Sequence, residues 1–336
     1  MDKKELIAVQ IRNAKGHFVT LLNYGAIIQQ FVVKNRHGEE QDIVLGFDKA
    51  DEYLANAYLQ AYPYMGAVIG RYANRIKGGQ FNLEDQTYTL FLNAGESCLH
   101  GGATGFDKKV WDIIETDDNG VTFQYYSEDG EENFPGDLAV QLSFVWTDND
   151  ELILTYQADT DEATPVNLTH HSYFNLSPKG GSIADHLHQM PASYYLEQDS
   201  DWAATGNLLP VAGSPRDFRT AKRFGENWDP AEGYDQSFVL DKKEGELTLA
   251  SITSEKDGGL SLRVYTTTPV AHVYTAKYLN VKNGKKGRDY SAFDAFCVET
   301  QHHPNALNIP SFPDTILRPG ELYTQTTIYK VVVDKT

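Results

Sequence analysis

Side chains that could carry acid–base chemistry are concentrated in four segments of the chain. Each segment places reactive side chains among glycines or within an apolar run typical of a strand. The segments are GRYANRIKGG at residues 70–79, CLHGG at 98–102, VNLTHHSYFNL at 166–176 and DAFCVETQHHP at 294–304. Carboxylates and imidazoles are the groups that most often transfer protons in enzymes working near neutral pH.

The fourth segment places a carboxylate where it could act as a base. A strand there would put Glu299 on one face with Cys297 and Gln301, and Phe296 and Val298 on the other face. The small neighbours of Glu299 would leave room for a ligand. Partial burial raises the pKa of a carboxyl group and makes its carboxylate a better base near neutral pH. A buried Glu held in a structural ion pair would show the same pattern, so both interpretations stay open.

Histidines in the second and third segments could supply an acid or a hydrogen-bond donor. His170 and His171 are adjacent, so on a strand they face opposite sides and at most one enters a given pocket. His171 would share its face with Tyr173. His100 precedes two glycines, where a backbone could approach a ligand closely, although a simple turn would use the same residues. A structural, hydrogen-bonded histidine is the alternative in each case.

Two arginines and one aspartate are further candidates for a binding site. Arg71 and Arg75 would lie on one face if their segment were extended, and their glycine flanks favour a turn into a pocket over solvated surface. Asp235 precedes the apolar run QSFVL, where the alternative role is to cap a turn.

Metal and nucleotide chemistry have no support in the sequence. Adjacent His302 and His303 cannot converge on one ion from a regular strand. The chain has no HExxH motif and no zinc-type cysteine pairs, and GRYANRIKGG fits neither a P-loop nor a dinucleotide-binding motif. We therefore expect no metal and no cofactor.

The elements that must position these side chains are predicted to be β-strands. Apolar residues alternate with polar ones in AVQLSFVW, LSLRVYTT, ELILTYQA, GAIIQQFVV and TTIYKVVV, each bounded by turn residues. The best helical candidate is FDKADEYLAN, with a short helix expected at Lys49–Asn56. We expect an all-β fold, a large antiparallel β-sandwich with few short helices that forms a single domain over residues 1–336.

Composition limits the partners and the compartment. The net charge of −18 argues against nucleic acid and anionic membranes, and weighs mildly against phosphorylated substrates. No apolar run approaches the roughly 18 residues that span a membrane. With only two cysteines and an N-terminus that lacks the apolar core of a signal peptide, the expected location is the cytoplasm.

Taken in order, these motifs resemble the aldose 1-epimerase (galactose mutarotase) family. The matching pieces extend from residue 21 to about 303: LLNYGAIIQQFVV, GRYANRI, LHGG, VNLTHHSYFNL, GYDQSFVL, PVAHVYTAKYL and VETQHHP. The resemblance implies a large β-sandwich that needs no cofactor. It also implies an enzyme that interconverts the α and β anomers of a galactose- or glucose-type hexose.

The resemblance also implies roles for individual residues. Glu299 matches the general base that takes the proton of the C1 hydroxyl, and His171 matches the general acid that protonates the ring oxygen. The expected substrate-binding residues are His100, Asn74, Arg75, Asp235, Tyr173 and His272. Arg75 fits the family pattern better than Arg71 because of its distance from the LHGG histidine.

Two positions depart from the family pattern. This chain has His170 where the family usually has Asn, and His272 where Gln is common. An amide and a neutral imidazole present their donor and acceptor in different geometries. We therefore expect a different hydroxyl preference, shifted towards glucose or the reducing end of a disaccharide.

Three rival functions stay open at this point. A glycoside hydrolase could use Asp235 and Glu299 as its carboxylate pair. A sugar-binding module could keep the fold without catalysis, although it would need neither Glu299 nor His171 as a proton-transfer group. A mutarotase for hexose 6-phosphates is disfavoured because no Arg or Lys cluster is visible in the sequence. In each case the expected partner is a small sugar, and the protein is expected to be a monomer or a homodimer.

Overall fold

The computed structural model describes residues 5–243 and 245–334. Within these ranges the chain is almost entirely β-structure. Its strands in chain order are β1 Ala8–Arg12, β2 Phe18–Leu22, β3 Ile27–Lys34, β4 Glu40–Asp42, β5 Val68–Ile69, β6 Arg75–Lys77, β7 Gln80–Leu83, β8 Gln86–Thr89, β9 Ser97–Leu99, β10 Asp112–Thr116, β11 Gly120–Ser127, β12 Leu138–Trp146 and β13 Glu151–Thr160. They continue with β14 Thr164–Pro165, β15 Thr169–His170, β16 Leu187–Gln189, β17 Tyr194–Gln198, β18 Ala204–Pro210, β19 Lys222–Arg223, β20 Asp235–Val239, β21 Thr248–Glu255, β22 Leu260–Thr266, β23 Val270–Tyr274, β24 Cys297–Gln301, β25 Ile316–Leu317 and β26 Tyr323–Val333.

Helices are few and short, as the sequence predicts. The α-helix α1 covers Asn56–Ala61. The 3-10 helices are Ala50–Leu54, Phe106–Lys108, Glu131–Asn133, Phe224–Glu226, Lys285–Gly287 and Ala306–Asn308. The predicted boundaries at Lys49–Asn56 were wrong because Ala55 is extended, with ψ of 134°, and separates a 3-10 turn from α1. Among the described residues, no helix is both long enough and apolar enough to cross a membrane.

Three larger antiparallel sheets build the sandwich. One sheet has nine strands in the order β10-β11-β12-β13-β26-β22-β21-β16-β19. A four-stranded sheet runs β1-β2-β3-β4, and a five-stranded sheet runs β18-β17-β20-β23-β24. Alternate residues of β12, from Leu138 to Trp146, are buried, which confirms the predicted two-residue period.

One apolar core joins the three sheets. It contains Phe31 of β3, Leu142 of β12, and Val273 and Val298 of the five-stranded sheet. The two smaller sheets therefore pack against the nine-stranded sheet. Because neighbouring strand residues point to opposite faces, the residues that alternate with Val273 and Val298 face away from this core. That second face of the five-stranded sheet carries the candidate site.

Candidate active site

The register of three neighbouring strands builds the floor of the site. In one row across β20, β23 and β24, Ser237 pairs with His272, and His272 pairs with Glu299. Asp235 and Cys297 occupy the adjacent row on the same face. The predicted face assignment of β24 is confirmed, since Phe296 and Val298 belong to the core while Cys297 belongs to a separate cluster.

Above this floor lies a cavity of about 200 Å³. Every residue that the sequence proposed for the site lies in its wall: Asn74, Arg75, His100, His171, Tyr173, Asp235, His272 and Glu299. They come from segments spread over more than two hundred positions of the chain, and the fold brings all of them together. His170 and Arg71 are not part of this wall.

His171 is fixed by its backbone and by aromatic rings. Its N–H donates to the carbonyl of Ala67 at 2.8 Å, and its own carbonyl accepts from Gly66 at 2.9 Å. The imidazole stacks against the rings of Tyr173, with centroids 5.0 Å apart, and of Tyr64, at 6.0 Å. These contacts limit rotation of the ring, so its nitrogens have a defined direction in the cavity.

Glu299 lies beside His171 with one oxygen unsatisfied. Its Oε1 is 3.5 Å from Nε2 of His171, and its side chain is almost completely buried. Its Oε2 has no hydrogen-bond partner among the residues that the structure describes. Buried acceptors without a partner are uncommon and costly, so a substrate hydroxyl that donates to this oxygen would be stabilised.

His100 is held as a neutral hydrogen-bond donor. Its Nδ1 accepts the backbone N–H of Asn74 at 3.1 Å, which leaves the ring proton on Nε2. Burial, together with the nearby His171 and Arg75, lowers the pKa of His100 well below its usual range. His100 therefore stays neutral at physiological pH and can donate through Nε2.

Three of these groups also lie close enough to be considered as metal ligands. His100, His171 and Glu299 each offer a ligand atom, and these atoms are all within 4.8 Å of one another. A histidine binds a metal through an unprotonated nitrogen. The hydrogen bond from Asn74 occupies Nδ1 of His100 and places the proton on Nε2, so this histidine suits a sugar oxygen better than a metal ion.

His272 and Asp235 form a buried pair at the other side of the floor. Nε2 of His272 donates to Oδ1 of Asp235 at 2.8 Å, and its Nδ1 is 2.8 Å from Oγ of Ser237. Burial alone would lower the pKa of His272, but the hydrogen bond to Asp235 and the charges of Asp235 and Glu299 raise it. Burial alone would raise the pKa of Asp235, but its hydrogen bond to His272 and the positive charges of His272 and Arg75 lower it. The pair therefore favours imidazolium and carboxylate.

The two arginines have different surroundings, which corrects the expectation that they share a face. The chain is not extended between them, since Asn74 has a φ of 63°. Arg71 is buried and donates to the carbonyls of Pro135 and Gly136 at 2.8 and 2.9 Å, while Arg75 reaches the cavity. The preference for Arg75 as the site residue agrees with this geometry.

The glycines after His100 make room for close packing within the protein, as the alternative of a simple turn would require. Gly101 has a φ of +86°, and a Cβ there would lie 2.0 Å from the carbonyl oxygen of Gly70. A Cβ on Gly102 would lie 2.3 Å from a carboxylate oxygen of Glu132. The glycines let two loops pack closely, and this packing places His100 at the cavity wall.

The polar atoms of His170 and Tyr173 have partners within the protein and are not presented to the cavity. His170 points away from the cavity, and its ring nitrogens lie near Oγ of Ser172 at 3.0 Å and the carbonyl of Ala26 at 3.3 Å. The hydroxyl of Tyr173 donates to the carbonyl of Pro63 at 2.8 Å. The ring of Tyr173 is therefore its contribution to the site.

Sequence reasoning missed the aromatic part of the wall. Tyr62, Tyr64, Tyr274 and Tyr278 also line the cavity, and Tyr278 is 63% exposed at its edge. The run AYPYMG shows a cluster of tyrosines around a proline, but nothing in it indicates which way the rings point. Aromatic faces beside polar groups suit the apolar face of a sugar ring.

Comparisons with known proteins agree with this architecture. The family model described as aldose 1-epimerase matches residues 8–330. The galactose mutarotase of Homo sapiens is 40% identical, over 94% of this chain and 91% of that protein. The crystal structure of an aldose epimerase homologue from C. elegans superposes with a TM-score of 0.91 and 31% identity, covering 98% of this chain and 100% of the other. A galactose 1-epimerase from Lactobacillus acidophilus gives a TM-score of 0.84 at 27% identity, covering 99% of this chain and 96% of that one. This chain belongs to the aldose 1-epimerase family.

Proposed function

We propose that this protein is an aldose mutarotase in which Glu299 and His171 transfer the protons. As a member of the aldose 1-epimerase family it is an isomerase, and it interconverts the α and β anomers of an aldose. The residue roles are inferred from the cavity and from the chemistry of ring opening.

The observation that carries the proposal is the contact between the two candidate catalytic groups. Ring opening needs a base at the C1 hydroxyl and an acid at the ring oxygen, and both oxygens are bonded to C1. The two catalytic groups must therefore lie side by side. Oε1 of Glu299 and Nε2 of His171 are 3.5 Å apart in the wall of one cavity. Such hydrogen-bonding groups are often looser without substrate and tighten when it binds.

The proton transfers follow from this placement. Glu299 takes the proton of the C1 hydroxyl, the C1–O1 bond becomes a carbonyl, and the bond from C1 to the ring oxygen breaks. The ring oxygen takes its proton from His171. After rotation about the C1–C2 bond, the ring closes with the two groups in reversed roles. General acid or base catalysis of this kind contributes about 10²–10⁴-fold for each group.

The remaining polar residues suit the hydroxyl groups and the ring oxygen. His100 offers Nε2–H close to His171, since the centroids of the two rings are 5.5 Å apart. Arg75 and Asn74 lie on the adjoining wall, and Asp235 with His272 lies farther along the floor. Asp235 is two strands away from Glu299, so it would anchor a hydroxyl remote from C1. Such contacts bind substrate and transition state alike.

A glycoside hydrolase is a weaker interpretation of the same cavity. Its general acid must be a carboxyl group that is protonated at working pH. The buried hydrogen bond to His272 lowers the pKa of Asp235 and keeps it ionised, which opposes this role.

The proposal also covers the charge of the substrate, the location of the protein and its oligomeric state. Arg75 is the one Lys or Arg in the cavity wall as far as the structure describes the chain, which supports an uncharged sugar over a hexose phosphate. Location in the cytoplasm is supported by Cys98 and Cys297, both free and buried. We propose a monomer or homodimer that acts on small sugars and not on nucleic acid.

Polarimetry of freshly dissolved α-D-galactose and α-D-glucose tests the function. Enzyme should speed the approach to anomeric equilibrium well beyond the rate in buffer. An aryl galactoside, added in parallel, should release no free phenol. Release of the phenol would favour the hydrolase, and sugar binding by calorimetry without faster mutarotation would favour a binding module.

A further inference from the structure

Cys297 is a buried thiol that contacts the proposed acid and has no part in the proton transfers described above. Its side chain is fully buried, and its Sγ lies 3.5 Å from Nδ1 of His171. It is absent from the cavity wall, so it contacts the imidazole from the side opposite the sugar.

The spacing of β24 explains how one strand reaches both nitrogens of the imidazole. Cys297 and Glu299 are two residues apart on the same face, a separation of about 7 Å along the strand. The imidazole of His171 lies between them, with Nδ1 next to the thiol and Nε2 next to the carboxylate, each contact at 3.5 Å. The rings of Tyr64 and Tyr173 stack against the imidazole.

We propose that Cys297 is a positioning residue for His171: its thiol is the hydrogen-bond partner of Nδ1 and turns Nε2 towards the ring oxygen of the sugar. This inference rests on the proposed function, in which His171 exchanges its proton through Nε2. The second nitrogen of a functional histidine generally needs such a partner, because that partner sets the direction and the tautomer of the ring.

A thiol suits this place because the reaction runs in both directions. Burial, with the negative charges of Glu299 and Asp235, raises the pKa of the Cys297 thiol well above its ordinary value, so it stays neutral. A neutral thiol is both a weak donor and a weak acceptor. It accepts Nδ1–H when the imidazole is charged, and still accepts it after Nε2 has released its proton. A carboxylate there would hold the imidazolium more strongly and oppose release of the proton.

Three variants test the role. Cys297→Ala removes the partner of Nδ1, Cys297→Ser keeps a group that donates and accepts, and Cys98→Ala makes the same change at the other buried cysteine. Cys98 lies in a separate apolar cluster with Tyr72 and Ile76 and provides the matched control. Each variant is assayed for kcat and KM in mutarotation of galactose across pH, after circular dichroism has verified its fold.

The positioning role predicts a specific pattern. Cys297→Ala should lower kcat roughly tenfold or less, the equivalent of one lost hydrogen bond, with KM little changed. The alkaline limb of its pH–rate profile should move to lower pH, because the imidazolium has lost an acceptor. Cys297→Ser should restore most of kcat, and Cys98→Ala should match the wild type. The inference is overturned if Cys297→Ala keeps the wild-type kcat and pH profile, if serine is no better than alanine, or if Cys98→Ala shows the same loss.

Nitrogen NMR of the imidazole separates this inference from the proposed function. The His171 signals, assigned by their loss in His171→Asn, can be followed whether or not the protein turns over a sugar. In Cys297→Ala the Nδ1 shift should change more than the Nε2 shift. Unchanged shifts, or equal changes at both nitrogens, would contradict a hydrogen bond from Nδ1 to Cys297 even if the protein proves to be an active mutarotase.

Discussion

Four histidines in or next to the cavity have different surroundings. His100 is neutral because burial lowers its pKa and a backbone N–H occupies its Nδ1. His171 lies beside Glu299, and His272 is paired with Asp235. His170, adjacent to His171 in sequence, lies on the core side, where it packs against Phe144. The partner of each ring nitrogen, rather than the residue type, decides what each histidine can do.

The two arginines of the first motif should respond differently to mutation. Arg71→Ala would leave several buried acceptors unpaired, at about 1–3 kcal/mol for each, and should lower the free energy of unfolding by at least about 3 kcal/mol. Arg75→Ala should instead raise KM by about 10- to 100-fold, the equivalent of a hydrogen bond to a charged group, with little change in unfolding. Chemical denaturation and mutarotation kinetics on the two variants measure both effects. A stable Arg71→Ala protein with a raised KM would reverse the assignment.

At this scale the sequence predicted the polar residues of the site but not its aromatic wall. The face of Glu299 followed from the two-residue period of a strand, and the separation of His170 from His171 followed from the same rule. The rings of Tyr64 and Tyr278 could not be placed, because their segments are loops without a repeating pattern. Arg71 was misplaced for a related reason, since a single left-handed residue at Asn74 redirects the chain.

Strand register is the feature that turns separate motifs into one site. His272 is the direct cross-strand neighbour of both Ser237 and Glu299, so three segments meet in one row. The alternation within each strand was readable from the sequence, and β12 and β22 have the predicted faces. The order of strands in the sheets could not be predicted from the sequence, because it depends on pairing between distant parts of the chain. The five-stranded sheet, for example, runs β18-β17-β20-β23-β24.

The close packing of the loops beneath His100 can be tested at a glycine. Gly101→Ala should destabilise the protein by more than about 2 kcal/mol, since its φ of +86° is unfavourable and its Cβ would meet the carbonyl oxygen of Gly70. Gly16→Ala is the matched control, with a φ of +79° and open space around it, and should cost only about 1 kcal/mol. Thermal unfolding of both variants gives the comparison. Equal losses would show that backbone conformation alone matters.

The pair of His272 and Asp235 should make stability depend on pH. Because the pKa of His272 is raised on folding, its contribution is complete below the ordinary histidine pKa of about 6.5 and is lost as pH rises through the raised value. The free energy of unfolding of the wild type should therefore exceed that of His272→Gln by about 1 kcal/mol at pH 6. This difference in stability should shrink towards pH 9. Unfolding temperatures of both proteins across this range measure it. A difference that stays constant or grows with pH would contradict the ion pair.

Sugar preference is the second expectation for His272. Its Nε2 donates to Asp235 and its Nδ1 is 2.8 Å from Oγ of Ser237, so His272 acts by holding the Asp235 carboxylate in a fixed direction for a sugar hydroxyl. Replacement by Gln should change the ratio of kcat/KM for glucose and galactose by roughly tenfold, because a hydroxyl contact is lost or gained. Mutarotation rates of several aldoses with both proteins test this. Identical preferences would remove His272 as a determinant.

For the whole molecule, one core connects every large sheet. Residues of the nine-, four- and five-stranded sheets belong to the same buried cluster, and the cavity lies on the face of the five-stranded sheet that points away from this cluster. An all-β fold followed from the repeated strand patterns of the sequence. The division into these sheets did not, because it depends on long-range pairing such as β13 with β26.

A shared core predicts that the protein unfolds as one unit. We expect a single calorimetric transition, with loss of the near-ultraviolet and far-ultraviolet circular dichroism signals at the same temperature. Removing the five-stranded layer would expose the core of the other sheets, so neither part should remain folded alone. Two separate transitions would contradict the proposal of a single domain.

The most direct test of the proposed mechanism is the mutarotation rate of freshly dissolved α-D-galactose with wild type, Glu299→Gln and His171→Asn. Each substitution keeps the approximate shape of the side chain and removes its ability to exchange a proton. The account predicts that each variant loses about 10²–10⁴-fold in kcat while calorimetry still detects sugar binding. Wild-type rates in either variant would contradict the central claim that Glu299 and His171 carry the proton transfers.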